Sequence, residues 1–193
     1  MLSYIGQNGL SLPSKEYYTE EGQSDIRQKY LTHIEKIFTL SQVKNASVKA
    51  KMGLDFETAL AQNSLSSVEQ RDVYRTYNKL NFNQFKSITT AFPWLSYCQS
   101  LGWPTGHCLG DGDVIVDNPD FLKFFNTLLK QFRAEDWRAY FEWQVLGSSA
   151  IYLDQEFQSQ DFEFFGRTLS GQSEPSPVAS FFWTKLILKS LAL

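Results

Sequence analysis

Two histidines, two cysteines and a short run of aspartates are the side chains in this 193-residue chain whose types invite a chemical role. His33 lies in His33-Ile34-Glu35-Lys36-Ile37, which holds no H-E-x-x-H pair and so cannot present two imidazoles on one helix face to zinc. Beside Tyr30 and Ile34 it reads as a helix-surface histidine. His107 stands next to Cys108, with Cys98 upstream. Three such ligands suit zinc, yet their spacing matches no common structural site. Two free thiols and one short-loop disulfide both fit the cysteines. Asp111-Gly112-Asp113, with Asp117 following, offers carboxylates of the kind calcium uses, but the twelve-residue loop with its closing Glu is absent, so a solvated turn is expected. No G-x-S-x-G supports a serine nucleophile. Gly102, Gly106, Gly110 and Gly112 do not follow a strand and open a helix, as a phosphate loop would. From the residues alone no catalytic or metal site emerges.

The elements that would position any site are helical. From Asp117 to Gly171, apolar residues at Phe121, Leu122, Phe125, Leu128, Leu129 and Phe132, then Trp137, Tyr140, Phe141, Val145 and Leu146, recur at helical spacing. Asn118 before Pro119 is a start signal: the asparagine caps, and the missing proline N–H costs nothing in a first turn. The short run Gln131–Glu135 predicts an antiparallel pair. Upstream, helices are expected over Ser24–Leu40, with Ile26, Tyr30, Ile34, Ile37 and Phe38 on one face, and over Asn45–Gln62, where Gly53 is unfavourable. Ser66 and Glu69 form a capping-box pattern opening a shorter helix to Tyr77-Asn78. Further helices are expected over Asn83–Ala91, Pro93–Leu101 and Leu153–Phe165, with Gly147-Ser148-Ser149-Ala150 in mid-helix. Residues 1 to 18 and Gly102–Gly112 read as loops, and Val114-Ile115-Val116 is the one strand-like run. The fold class is all-α and multi-helical.

At this length the chain is one domain, or a large part of one, able to bury roughly 70% of its unfolded surface. Aromatic residues make up 16% and the net charge is −3. A chain without basic excess lacks the footprint of a nucleic-acid binder. No signal peptide is visible in Met1-Leu2-Ser3-Tyr4-Ile5, and localisation stays unassigned. The apolar Val178–Leu193 carries Lys185 and Lys189 and is shorter than the ~20 residues a membrane span needs.

The order of phrases carries more. Gly9 to Tyr18 (G-L-S-L-P-S-K-E-Y-Y), Tyr30 to Ile34 with His33, and Glu57, Leu60 and Ala61 come first. Arg71-Asp72, Tyr77-Asn78, Trp94 and Tyr97 follow. Pro119-Asp120-Phe121, Asp136-Trp137 with Tyr140, Phe164-Phe165-Gly166 and Leu169-Ser170-Gly171 complete the series. In this order they resemble the N-terminal helical domain of the neprilysin and endothelin-converting-enzyme family of zinc metallopeptidases, nearest its bacterial oligopeptidase branch. The resemblance runs from Gly9 to Gly171.

The resemblance implies a mainly helical, two-domain endopeptidase that encloses a chamber and cleaves small peptides. Zinc would be held by an H-E-x-x-H helix and a downstream Glu, whose chemistry lies in the catalytic domain. This chain contains no H-E-x-x-H, so no catalytic or metal residue transfers, no cofactor is expected in it, and no activity is expected of it alone. Residues 1–171 are expected to be an incomplete N-terminal domain forming the chamber wall, and 172–193 a linker with a divergent apolar tail. Arg71, Asp72, Tyr77, Asn78, Pro119, Trp137, Tyr140, Phe165 and Gly171 are family-signature residues with structural rather than chemical roles. Partners implied are small peptides in the full-length enzyme and, in a two-piece enzyme, a separate catalytic half. The alternative is a free-standing helical module that binds peptides or a protein.

Overall fold

The computed structural model describes residues 3–103, 109 and 113–175. Among them run β1 (Ser3–Ile5), α1 (Glu16–Thr19), α2 (Ser24–Leu40), α3 (Ala46–Gln62), α4 (Val73–Thr76), β2 (Asn78–Leu80), α5 (Phe82–Ile88), α6 (Trp94–Ser100), β3 (Val114–Val116), α7 (Pro119–Gln131), α8 (Ala134–Ser149) and α9 (Gln155–Asp161). A π-helical segment, Phe162–Leu169, follows α9 directly. The chain is mostly helical, as the periodicity predicts. It divides into two compact units, the first Met1–Glu21 with Asp55–Trp137 and the second Gly22–Leu54 with Arg138–Leu193. The expected Cys98–His107–Cys108 and Asp111-Gly112 features, and the tail from residue 176, lie outside the described residues, although Cys98 itself is buried and disulfide-bonded.

In the first unit a three-stranded sheet has the order β1-β3-β2. β3 is central, parallel to β1 (Ser3 opposite Val114) and antiparallel to β2 (Asn78 opposite Val116). Its three residues are all buried, which is why it reads as an unbroken apolar run. β1 corrects the expectation of a loop, and β2 begins where the expected helix ends, so Val114–Val116 is not the one strand. Neither has three consecutive apolar residues, and β1 pairs with a strand more than a hundred positions away. The Ser66–Glu69 box exists, Ser66 N donating to Glu69 Oε2 at 2.7 Å and Glu69 N to Ser66 Oγ at 3.2 Å. It opens a 3-10 turn, Glu69–Arg71, rather than a continuous helix. Asp72 then recaps α4 by accepting from Tyr74 N at 3.0 Å. At the far end of the sheet Asn118 caps α7 through Phe121 N at 3.1 Å, with Pro119 in the first turn. Phe56 meets Phe132 and Trp137 at 4.8 and 4.5 Å between ring centroids, and Phe125 meets Trp137 at 5.7 Å.

The second unit is built on α2, whose buried face is Tyr30, His33, Ile34, Ile37 and Phe38. The helix ends in a Schellman motif: Val43 N donates to Phe38 O at 2.9 Å and Gln42 N to Thr39 O at 3.0 Å. Gln42 holds φ +56° there, a left-handed position where glycine would be unstrained. Trp143 of α8 donates its indole N–H to the Tyr30 hydroxyl at 2.8 Å. Gly147-Ser148-Ser149 ends α8, and Ala150–Tyr152 is a 3-10 turn, so the small-residue patch closes a helix instead of lying inside one. Asp154 caps α9 through Glu156 N and Phe157 N. Gly166 faces the Phe162 ring so closely that a Cβ there would collide with it. Gly171, at φ +68°, ends the segment, with its N–H on Arg167 O at 3.2 Å.

His33 is the main correction. It is 1% exposed, not on the surface. Phe164 stacks on its ring at 5.0 Å, and Trp143 and Phe165 meet it edge-on at 5.6 and 5.3 Å. Nδ1 lies 3.1 Å from Gln160 Nε2, an arrangement in which the amide donates and neutral Nδ1 accepts. Burial pushes the imidazole down to about 4. Burial also pushes the Asp161 carboxyl up to about 6.

These two groups set opposed pH dependences. The unfolded chain protonates its histidine near the ordinary value of about 6.5, so His33 contributes full stability above that pH. The contribution falls away toward pH 4, by roughly 3 kcal/mol in all. Asp161 binds its proton more tightly when folded, so its contribution is present at low pH and is lost as pH rises from its ordinary value of 3.8 toward about 6. The summed contribution of these two groups should therefore vary little between pH 4 and 6. Asp161→Asn removes one arm, and its urea midpoint should fall steadily as pH drops from 6.5 to 4. A flat profile in that variant would show that His33 is not held neutral. Separately, Gln42→Gly should raise stability by about 0.5–1 kcal/mol, read from the same denaturation curves.

Candidate functional site

The most concentrated polar chemistry in the first unit surrounds Glu57. Phe56, Leu60 and Ala61 on α3 are all buried, and Glu57 shares that face with 0% exposure. A carboxylate taken out of water is costly unless donors replace its hydration. Glu57 Oε1 accepts from Ser11 Oγ at 2.7 Å and Oε2 from the Tyr18 hydroxyl at 2.6 Å. The same hydroxyl accepts from Leu12 N at 2.8 Å and Ser11 N at 3.1 Å. Burial and the adjacent carboxylate raise the Tyr18 phenol far above its ordinary range, so it stays a donor at every working pH. The phrases Gly9–Tyr18 and Glu57-x-x-Leu60-Ala61 are thus two sides of one contact.

A second network joins this segment to the sheet. Gln7 donates through Nε2 to Leu65 O at 3.0 Å and accepts at Oε1 from Leu65 N at 2.7 Å and Asn118 Nδ2 at 2.8 Å. Asn118 Nδ2 also donates to Asn63 O at 3.1 Å. Asp117 accepts from Gln7 N at 3.0 and 3.2 Å, and burial raises its carboxyl above the usual range. Its Oδ2 would lie 2.9 Å from a Cβ on Gly6, so a side chain there would push the carboxylate off Gln7 N. Asn78 Nδ2 reaches Val116 O at 3.0 Å and Arg75 O at 2.8 Å.

The nine signature residues fall in distinct places. Asp72, Asn78 and Pro119 serve in caps or hydrogen bonds of the first unit, while Arg71 and Tyr77 are exposed. Trp137 packs on Phe56 and Phe125. In the second unit Tyr140 is buried against Phe141, Phe165 lies on His33, and Gly171 ends the π-helical segment. They do not form one constellation. Among the described residues no group of three or more His, Cys, Asp or Glu is placed to hold a metal ion, so these residues do not fit zinc. Nor is any helix of the described residues long and apolar enough to cross a membrane. Ser11, Tyr18 and Gln7 were not legible as partners from spacing. The available signal was Glu57 itself, an acid on a helix face otherwise made of Phe56, Leu60 and Ala61.

With its carboxylate oxygens and the tyrosine hydroxyl engaged, the Glu57 cluster is a structural lock. Glu57→Ala should cost about 3–5 kcal/mol, because it strips the partner from the buried Tyr18 hydroxyl and the half-buried Ser11 hydroxyl and opens a cavity. Tyr18→Phe should cost about 2–3 kcal/mol and Ser11→Ala about 1 kcal/mol. Urea denaturation of the three variants checks this order, and a neutral Tyr18→Phe would remove the lock.

A family model described as peptidase family M13 matches residues 1–184, wider than the Gly9–Gly171 stretch that the phrases mark. Endothelin-converting enzyme 1 of Cavia porcellus is 27% identical over 166 residues, covering 83% of this chain and 22% of that protein. The Homo sapiens enzyme is 26% identical over 164 residues, with 83% and 21% covered. Among solved structures, Mycobacterium tuberculosis zinc metalloprotease Zmp1 in its open state superposes with a TM-score of 0.83 at 27% identity, covering 94% of this chain and 28% of that one. Its inhibitor complex gives 0.82 at 28% identity, covering 91% and 27%. The chain spans about a fifth of the length of these curated relatives. It belongs to peptidase family M13, as an N-terminal part of that architecture.

Proposed function

We propose that this chain serves as the non-catalytic wall of an M13-type zinc endopeptidase, shaping the chamber in which small peptides are cut. The family match over residues 1–184 carries the reading. It is supported by the structural likeness to the zinc metalloprotease Zmp1, of which this chain covers 28%. On this reading residues 1–171 are the wall domain and 172–193 its linker and tail. Asp72, Asn78, Pro119, Trp137, Tyr140, Phe165 and Gly171 act by holding helices in place. Hydrolysis then depends on an H-E-x-x-H-bearing segment supplied beyond these residues, in the same polypeptide or as a separate half. Its metal-bound water would attack the peptide carbonyl.

A binding-module reading has one observation in its favour. Val68, Val73, Tyr74 and Tyr77 follow closely in the first unit and are all exposed, Val68 by 77% and Tyr74 by 98%. Apolar surface gathered in this way marks a contact for another polypeptide. The same surface suits a wall domain that meets its catalytic partner.

One experiment separates the readings. The chain alone should carry no stoichiometric zinc by metal analysis and should not cleave a fluorogenic peptide. A chimera in which it replaces the matching N-terminal part of an M13 peptidase should cleave that peptide, within about tenfold of the parent. One zinc per chain with hydrolysis by the chain alone would overturn the wall reading. A folded but inactive chimera, together with micromolar binding of uncut peptide by the chain alone, would favour the binding module.

A further inference from the structure

We propose that the cavity between the end of α5 and the start of α6 binds a small aromatic carboxylate, one ring with an anionic group on a short arm. The cavity has a volume of about 300 Å³ and is lined by Lys86, Thr90, Phe92, Trp94, Leu95 and Ser96 among others. An apolar cavity of about 150 Å³ already takes a benzene ring, so this one has room for a ring and a two- or three-atom arm.

The walls are preformed. Trp94 Nε1 donates to Thr89 Oγ1 at 2.8 Å, and that hydroxyl donates to Phe85 O at 2.9 Å. The Trp94 ring lies 4.8 Å from the fully buried Phe85 and 4.5 Å from Phe92. The loop between them is pinned from α7, where Asn126 accepts from Ala91 N at 2.5 Å and donates to Thr90 Oγ1 at 3.1 Å. A ligand ring entering here meets aromatic walls already held in position. Aromatic pairs at such separations stabilise beyond area burial, and a rigid wall spares the ordering cost.

Charge then selects the ligand. Among the described residues lining the cavity, Lys86 is the one that carries charge, and none is a carboxylate. Lys86 Nζ sits 5.7 Å over the Phe82 ring and makes no ion pair among the described residues. A cation beside an apolar slot, with no acid among the described lining residues, favours an anion on the ligand. The Thr90 and Ser96 hydroxyls add neutral donors of the kind a carboxylate accepts from. The site lies wholly within the first unit. It stands whether or not the chain takes part in peptide hydrolysis, and its failure would leave the chimera result untouched.

The test follows the Trp94 indole N–H resonance of the whole chain by NMR while 3-phenylpropionate is added, with 3-phenylpropionamide as the neutral probe. The acid should shift that resonance saturably, with Kd about 1 mM, and bind roughly fivefold more tightly than the amide. Lys86→Gln should erase that difference and leave amide binding unchanged. Lys123→Gln, altering a lysine of α7 that pairs with Asp120, should change neither. Absence of a saturable shift up to about 10 mM, or equal binding of acid and amide by the wild type, would overturn the proposal.

Discussion

A carboxylate with no access to water is the constraint around which the first unit is arranged. Glu57 brings its charge into an apolar helix face, and an ion there is tolerated only when donors stand in for solvent. Those donors, Ser11 and Tyr18, come from the N-terminal segment, so that segment must lie along α3. The Tyr18 hydroxyl also holds the Ser11 and Leu12 amides, which fixes the backbone as well as the side chains. Once the segment is laid there, Gln7 can bracket Leu65 from both sides and reach Asn118. β1 is then presented to β3 in parallel, with Asp117 N donating to Ile5 O at 3.1 Å immediately beyond the paired residues. A three-residue strand adds little by its own hydrogen bonds. It persists because the polar contacts on either side have already fixed its position.

The second unit solves the opposite problem. There the buried titratable group is kept neutral rather than solvated by donors. His33 spends one nitrogen on Gln160, while its Nε2 has no hydrogen-bond partner among the described atoms. The ring is surrounded by Trp143, Phe164 and Phe165, which exclude water and give an imidazolium no acceptor in its place, so burial favours the neutral form. Phe164 and Phe165 are neighbours in sequence and still both touch that ring, from a segment whose turns are wider than those of an α-helix. The Ser170 hydroxyl donating to Phe165 O at 2.7 Å has the i−5 reach that such turns produce. Gly166 lets the Phe162 ring lie against the backbone of the same segment.

The helices were legible where burial and period agree. α2 runs over the residues its apolar spacing marks, and α7 begins at its Asn-Pro signal. Legibility failed for three different physical reasons. β1 and β2 are short, polar-containing edge strands whose pairing depends on residues far away in sequence, so no local pattern announces them. The 3-10 turn after Ser66 uses the same capping chemistry as a helix, and nothing in that box specifies how far the helix will run. His33 was misplaced by residue type. Its spacing from Tyr30 and Ile37 put it on the buried stripe, and a stripe of that regularity outweighs the usual exposure of an imidazole. The Glu57 cluster combined these difficulties, an acid at a core position with partners on a distant segment.

The phrases that identify the family are, one after another, halves of contacts. Ser11 and Tyr18 meet Glu57, His33 meets Phe164 and Phe165, and Trp94 meets Tyr97 at 6.0 Å. Asn78 reaches the carbonyl of Val116, just before the Asn118-Pro119 start of α7. A set of contacts fixed by one fold constrains residues in a fixed order along the chain, which is why order identified the family where no single phrase could. It also explains why the same residues disclose no chemistry. A carboxylate whose oxygens both hold protein hydroxyls, or an indole whose N–H is spent on a tyrosine, has little left to offer a substrate. Arg71 and Tyr77 are different. Their neighbours Asp72 and Asn78 are consumed in a cap and a strand contact, but both of these side chains are exposed. Packing inside the first unit accounts for half of that phrase, and any role beyond holding β2 in place belongs to the half that faces outward.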